Sequence, residues 1–309
     1  MNHKHPQRPQ APFSDGSVVH GVVIDGIDDE GRGRGHVDHW DLAVRGAVPG
    51  DVAVVHIERL WHALHIAQGV AHEGDVERGP LHHERTCPHA GPCAGCPLHG
   101  IDAGFVLDGK RGRVAKALAD VGLGGLVPDI ASVVESKAPR QKVKLTAGLT
   151  RAGERGLGLY APHSHDLADA TACPHHDPRI NLALATLTAT LAEQPDMAPI
   201  LKAVIARAFV EGVGVVVVTS AAVNDTAFAP LRALVDRGAL ASIAVRVDTA
   251  RSNSIVSGAV AQSAGPQALT PLEGGAPASV DAFCQTDPML AAAMYARAAS
   301  FLTSGAPAD

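Results

Sequence analysis

From Ser17 to about His72 apolar and polar residues alternate in short runs, Val18 to Ile24, Leu42 to Arg45, Val52 to Ile57 and Leu64 to Val70, broken by Gly and Asp clusters. Alternation with a period of two marks strands with one buried face, and closely spaced runs of this kind predict a small all-β barrel. Val48-Pro49-Gly50-Asp51 stands between two of the runs, a turn in which Pro presets φ and Gly supplies a permissive backbone. Residues 73 to 100 lose the pattern. They are polar, rich in His, Pro and Gly, and contain three cysteines, so something other than an apolar core must order them. The period then becomes helical: Leu107, Val114 and Leu118 recur with Lys110, Arg111, Arg113 and Lys116 interleaved, which predicts an amphipathic, basic helix. A mixed α/β stretch follows. It reads as strands near Val143 to Leu149 and Gly158 to Tyr160, a helix with Ile180, Leu184, Leu187 and Leu191 on one face, a buried-type strand Val213 to Thr219, a helix Leu231 to Leu240, a strand Ile243 to Val247 and a last helix Pro288 to Leu302.

Composition narrows this α+β picture. At 309 residues the chain exceeds one domain of ~100 to 150 residues, so two or three compact units are expected. Apolar residues make up 46% and aromatics 3%, so the core must be built from Ala, Val and Leu rather than from rings. No apolar run reaches the ~18 residues that span a bilayer. The start, Met1 to Phe13, is polar and rich in Pro and His, unlike a signal sequence. A disordered tail over residues 1–13, a cytoplasmic location and no membrane partner are the expectations. A net charge of -6 confines any nucleic-acid contact to local patches.

Five cysteines, an odd number with no export signal, point to metal binding rather than to a disulfide framework. Three stand as Cys87-x5-Cys93-x2-Cys96, and Cys173, in Ala172-Cys173-Pro174-His175, is the best remaining fourth ligand. Four thiolates are the ligand set of an iron-sulfur cluster. They equally suit tetrahedral zinc, as do three thiolates and one of His89, His99, His175 or His176 beside them. Spacing alone leaves both metals open.

The segment Cys87-Pro-His-Ala-Gly-Pro-Cys93-Ala-Gly-Cys96, followed by a helix bearing Lys110, closely resembles the cluster motif of the RNA (uracil-5-)-methyltransferases. Upstream, Gly31-Arg-Gly-Arg-Gly35 and Val44-Arg-Gly-Ala-Val-Pro-Gly-Asp51 resemble the TRAM domain, an OB-like RNA-binding barrel. Downstream, Arg140-Gln-Lys142, Gly158-Leu-Tyr160 with Ser164-His165 and Cys173, then Asn253 through Gly258, Gly274-Gly275 and Phe283-Cys284-Gln285 follow the family's order, so the resemblance covers about residues 14 to 302. It implies a 4Fe-4S cluster held by Cys87, Cys93, Cys96 and Cys173, serving fold and RNA positioning rather than redox chemistry. It also implies a layout: a five-stranded TRAM/OB-like barrel over 14–72, an iron-sulfur and mixed α/β central domain over 73–285, and a helix and tail over 286–309 where a methyltransferase domain would begin. Gln285 matches a residue that contacts S-adenosylmethionine in the family, a cofactor not expected for this chain alone.

RNA contact has a separate footing. Between Lys137 and Arg155 six basic residues face one acid, Glu154, and such patches bind phosphate by releasing counterions. Arg140, Lys142 and Lys144 belong to this patch, with Arg32, Arg34 and Arg45 on the barrel and Lys110 on the helix as further RNA-binding candidates. Trp40 and Trp61 are the barrel's rings beyond the tail, too few for base-by-base stacking. Uracil C5 methylation needs a thiolate to add at C6 and a base to remove the C5 proton, and no such pair can be assigned. Gly122-Leu-Gly124-Gly125 and Gly212-Val-Gly214 lack the strand-loop-helix order of a cofactor loop. The expectation is an RNA-binding iron-sulfur protein, partnered by rRNA or tRNA and not catalytic by itself. The alternatives are a methyltransferase component whose catalytic domain is truncated or supplied by a separate methyltransferase subunit, and a zinc-stapled interaction module.

Overall fold

The computed structural model describes residues 11–28, 30–83, 87–89, 92–93, 95–96, 98–126, 139–161, 164–250 and 258–303. The expected tail up to residue 10, Lys137, residues 253–257 and residues 304–309 lie outside them. The chain forms two compact units, residues 1–91 with 95–130, and residues 92–94 with 131–309.

In the first unit β1 (Val18–Ile27), β2 (Gly33–Val37), β3 (Trp40–Arg45), β4 (Val52–Trp61) and β5 (Ile66–Val70) run in the order β1-β2-β3-β5-β4, and a further β1–β4 pairing closes the ring. This is the five-stranded barrel expected from the sequence. Closure depends on strands that serve two partners. β1 pairs with β4 through Val18 to Val23 and with β2 through Ile24 to Ile27, and its register shifts between Val19 and Val22, where Gly21 takes φ 69°. A bulge bends a strand and increases its twist, which carries it from one neighbour to the next. Val22, Ile24, Leu42, Val44, Val55, Ile57 and Trp40 fill the interior. Trp40 is fully buried, with Phe13 edge-on at 5.6 Å, so it is a core ring and not a stacking platform. A two-residue strand, β6 (Val76–Glu77), pairs with Val52 and Ala53 of β4. The boundary expected at residue 73 therefore falls inside this unit, because β6 ties the following segment to the barrel wall.

The expected basic helix is α1 (Ala103–Asp120), started by Asp102, whose carboxylate accepts from the Phe105 N–H at 2.8 Å. None of its residues is buried. Leu107, Val114 and Leu118 have helical spacing, but they do not form a buried face.

The second unit is a seven-stranded mixed sheet in the order β13-β12-β11-β10-β7-β8-β9: β7 (Lys142–Leu149), β8 (Arg155–Tyr160), β9 (Leu167–Asp169), β10 (Leu201–Ala208), β11 (Val213–Thr219), β12 (Ser242–Val247) and β13 (Ala259–Ala264). Only β11 and β12 are parallel, and the crossover between them is α3 (Asp225–Asp236). On one face α3 and α2 (Pro178–Ala192) cover Val143, Leu145, Val204, Ala206, Val215, Val217 and Val245. On the other, Leu269 and Val280 cover Ala203, Ile205, Phe209, Val216 and Val218. β11 is buried along its whole length, which explains its unbroken valine run. Ile180, Leu184, Leu187 and Leu191 of α2 are all buried as expected.

α3 differs from the helix expected over Leu231 to Leu240. It begins at Asn224, whose side chain caps the Ala227 N–H at 2.9 Å, passes through Pro230 and stops before Gly238. Proline is normally a break in a helix interior, yet α3 continues through Pro230. The last helix is α4 (Pro288–Thr303), with Met289, Met294, Tyr295, Phe301 and Leu302 exposed. No described helix is long and apolar enough to cross a membrane.

Candidate functional site

The barrel's Val-Pro-Gly-Asp turn is more than a bend. The Asp51 N–H donates to the Val48 carbonyl at 3.0 Å, and Gly50 takes φ 90°, the left-handed conformation that the third position of a type II turn requires. The turn places the Asp51 carboxylate at 0% exposure. There it accepts from the Val48 N–H at 2.8 Å, the Gly79 N–H at 2.7 Å and His82 Nε2 at 2.8 Å. Gly79 comes so close to the turn that a β-carbon would meet the Gly50 carbonyl oxygen at 2.4 Å. His83 continues the anchor, its N–H donating to the Gly100 carbonyl at 2.8 Å. One buried carboxylate thus fixes both the barrel turn and the segment that runs toward Cys87. The sequence reading took Asp51 as a turn residue and missed this role; the only hint was an acid beside apolar strands.

In the second unit two expected motifs come together. Gln141 is fully buried; its Nε2 donates to the Gln285 carbonyl at 2.9 Å, its N–H to the Thr286 carbonyl at 3.0 Å, and its carbonyl accepts from the Ala208 N–H at 2.8 Å. Lys142 Nζ donates to the carbonyls of Asp281 at 3.0 Å and Ala282 at 2.6 Å. Gln141 and Lys142 therefore strap down residues 281–286, which include Phe283-Cys284-Gln285. Burial holds the Lys142 ammonium below the ordinary lysine value, against the pull of Cys284 and Asp281. The same burial pushes the Cys284 thiol up, although Arg207 and Lys142 pull the other way. Cys284 is kept as a thiol.

Arg140 also reaches the cysteine-bearing turn. Its N–H donates to the His175 carbonyl at 2.7 Å, and its own carbonyl accepts from the Asp177 N–H at 3.0 Å. The Cys173 carbonyl accepts from the His176 N–H at 3.1 Å and from Asn181 Nδ2 at 3.0 Å. Cys87, Cys93, Cys96 and Cys173 are all free of disulfides and partly exposed. Accessible soft thiols fit the donor set of an iron-sulfur cluster, and they fit zinc as well.

The basic residues fall into two groups. Arg32 pairs with Asp28 at 2.6 Å and Glu30 at 3.2 Å, Arg34 with Asp25 at 3.6 Å, and Arg45 with Glu58, so each barrel arginine already faces an acid. Lys142 is committed to carbonyls. Lys110, Arg140 and Lys144 are exposed. Trp61, the barrel's other tryptophan, lies under Arg59 at 5.0 Å.

No protein-family model matches the chain. Homologues are named as RNA methyltransferases, some of them uracil-C5 enzymes. The chain is 33% identical over 150 residues to an uncharacterized RNA methyltransferase of Gloeobacter violaceus, covering 47% of this chain and 31% of that protein. It is 29% identical over 195 residues to a 23S rRNA (uracil(1939)-C(5))-methyltransferase of Alkalilimnicola ehrlichii, covering 60% and 40%. With the corresponding enzyme of Halomonas elongata the figures are 30% over 179 residues, covering 56% and 35%. The chain thus spans about a third of the length of the curated relatives it matches. Among solved structures, the fold is shared with the Pyrococcus abyssi tRNA (uracil-54, C5)-methyltransferase in complex with S-adenosyl-L-homocysteine, with a TM-score of 0.67 and 20% identity over 93% of this chain and 65% of that one. The chain is related in sequence to RNA methyltransferases that include uracil-C5 enzymes of 23S rRNA.

Proposed function

We propose that this chain is an RNA-binding iron-sulfur protein of the uracil-C5 methyltransferase type that is not catalytic by itself. The observation that carries the reading is the sequence similarity to named RNA methyltransferases together with four cysteines, all free of disulfides, on the segments anchored by Asp51 and by Arg140 and Asn181. Cys87, Cys93, Cys96 and Cys173 hold a 4Fe-4S cluster. When bound, the cluster cross-links loops that have little apolar core, and it serves positioning rather than electron transfer. Exposed Lys110, Arg140 and Lys144 supply phosphate contacts. The partner is an rRNA or tRNA.

The non-catalytic part rests on Cys284. Outside the four expected ligands it is the only remaining cysteine of the chain, and burial pushes its thiol up, away from the thiolate that addition to uracil C6 requires. A second reading has support of its own: α4 leaves Met289, Tyr295, Phe301 and Leu302 exposed, and exposed apolar side chains of this kind serve to seat another domain or subunit, here a methyltransferase.

Filter binding of rRNA and tRNA to the full chain over a salt series, with a methyl-transfer assay on the same samples, tests the proposal. Binding that weakens with salt along a log–log line, and that Lys144→Ala shallows by about one phosphate contact, is the expected result. Salt-independent binding removes the RNA reading. Methyl transfer by the purified chain alone removes the non-catalytic one.

A further inference from the structure

β4 turns His56 outward between buried Val55 and Ile57, where it stands opposite Val70 of β5. Two residues after Val70 the chain presents exposed His72 and then enters a 3-10 turn, Glu73–Asp75, that carries Asp75. His56 Nε2 lies 2.9 Å from Asp75 Oδ2, and the His56 and His72 rings are 4.9 Å apart between centroids. One ligand atom from each of the three residues falls within 4.8 Å of the other two, the only such group of His, Cys, Asp or Glu among the described residues. A surface His–Asp hydrogen bond needs one imidazole. The second one turns the pair into a chelate.

We propose that His56, His72 and Asp75 form a transition-metal site on the barrel wall, independent of the cysteines, that takes Zn2+ with water completing its coordination. Two imidazoles and one carboxylate suit a borderline dication and do not suit Mg2+ or Ca2+, which prefer all-oxygen shells. Around tetrahedral zinc, ligands at ~2.0 to 2.2 Å from the metal stand about 3.4 Å apart. The His56 and Asp75 side chains, 39% and 30% exposed, reach that spacing by small rotations that replace their hydrogen bond. Bound metal fixes the exit from β5 to the wall at β4, just before β6 leads the chain toward Gly79 and the Asp51 anchor.

The test is calorimetric titration of Zn2+ alone into the full chain, purified anaerobically with its cysteine-bound metal already in place and quantified. Wild type binds about one further equivalent, and His72→Ala and Asp75→Asn each weaken that equivalent tenfold or more. His72 is exposed, and Asn at 75 keeps a hydrogen-bonding side chain, so neither variant threatens the fold. Cobalt(II) in place of zinc gives visible d–d bands without a sulfur-to-cobalt charge-transfer band. Equal zinc binding by wild type and both variants overturns the proposal, as does a cobalt spectrum with thiolate charge transfer.

Discussion

The segment running toward Cys87 hangs on a single charged group, the buried Asp51 carboxylate with donors from Val48, Gly79 and His82. The turn around Cys173 is held differently, by bonds spread over the backbone of Arg140, His175, His176 and Asp177 and the side-chain amide of Asn181. A concentrated anchor in a low-dielectric interior is strong but fails all at once, because removing the acceptor strands every donor that it satisfied. A distributed anchor loses one bond at a time. The same contrast separates the two units' roles: the barrel turn is rigid around one residue, and the central sheet joins Cys173 and Cys284 through a strand end, residues 140–142, that serves both.

Breaking the concentrated anchor has the largest expected effect. Asp51→Ala leaves His82 and two backbone N–H groups buried without an acceptor and should cost about 3 to 5 kcal/mol, read as the urea midpoint of the first unit; a loss under about 1 kcal/mol contradicts the hub. Next comes the strap: Lys142→Met leaves two carbonyls unpaired, costs about 1.5 to 3 kcal/mol, and releases Cys284. Iodoacetamide at neutral pH should label Cys284 slowly in the wild type and faster in this variant, and equal rates would mean that the strap does not protect it. Asn181→Ala, in the distributed anchor, should cost only about 1 kcal/mol. If it matched Asp51→Ala, the comparison would fail.

The smallest effect is a pH dependence. Hydrogen bonds from the Arg179 side chain, then from its backbone N–H, hold the Asp177 carboxyl below its ordinary value despite partial burial. A depressed folded-state value contributes stability that is complete above the unfolded carboxyl value, about 3.9, and is lost as pH falls through the folded one. Wild type and Asp177→Asn should therefore differ at pH 6 and converge near pH 2 in urea unfolding. A difference that persists unchanged at the acid end would show that Asp177 acts without its charge.

Much of the fold was legible where burial follows a regular pattern, on one face of a strand or helix or on both faces of a central strand. The alternating runs of the barrel, the α2 stripe and the valines of β11 each follow directly from period and length. β10 was not found, because Leu201–Ala208 mixes alanines with Lys202 and Arg207, and Arg207 is buried only because Glu273 pairs with it at 3.0 Å and Phe209 lies under its guanidinium at 4.7 Å. No local pattern announces a partner 66 residues away. β2 was read as a glycine motif rather than a strand; its glycines are small for packing reasons, since a β-carbon at Gly35 would meet the Val22 side chain at 2.8 Å. The site followed the same rule. Motifs were visible one by one, but the strap from Gln141 and Lys142 to residues 281–286 depends on sheet topology, and the Asp51 hub on a turn that returns to meet Gly79.

The central claim, that the four cysteines hold an iron-sulfur cluster, is tested most directly by measuring iron, acid-labile sulfide, zinc and visible absorbance on anaerobically purified wild type and Cys173→Ser. The account predicts about four iron and four sulfide per wild-type chain, a broad brown absorbance, and loss of the cluster in the variant. Zinc in place of iron, or a cluster that survives Cys173→Ser unchanged, would contradict it.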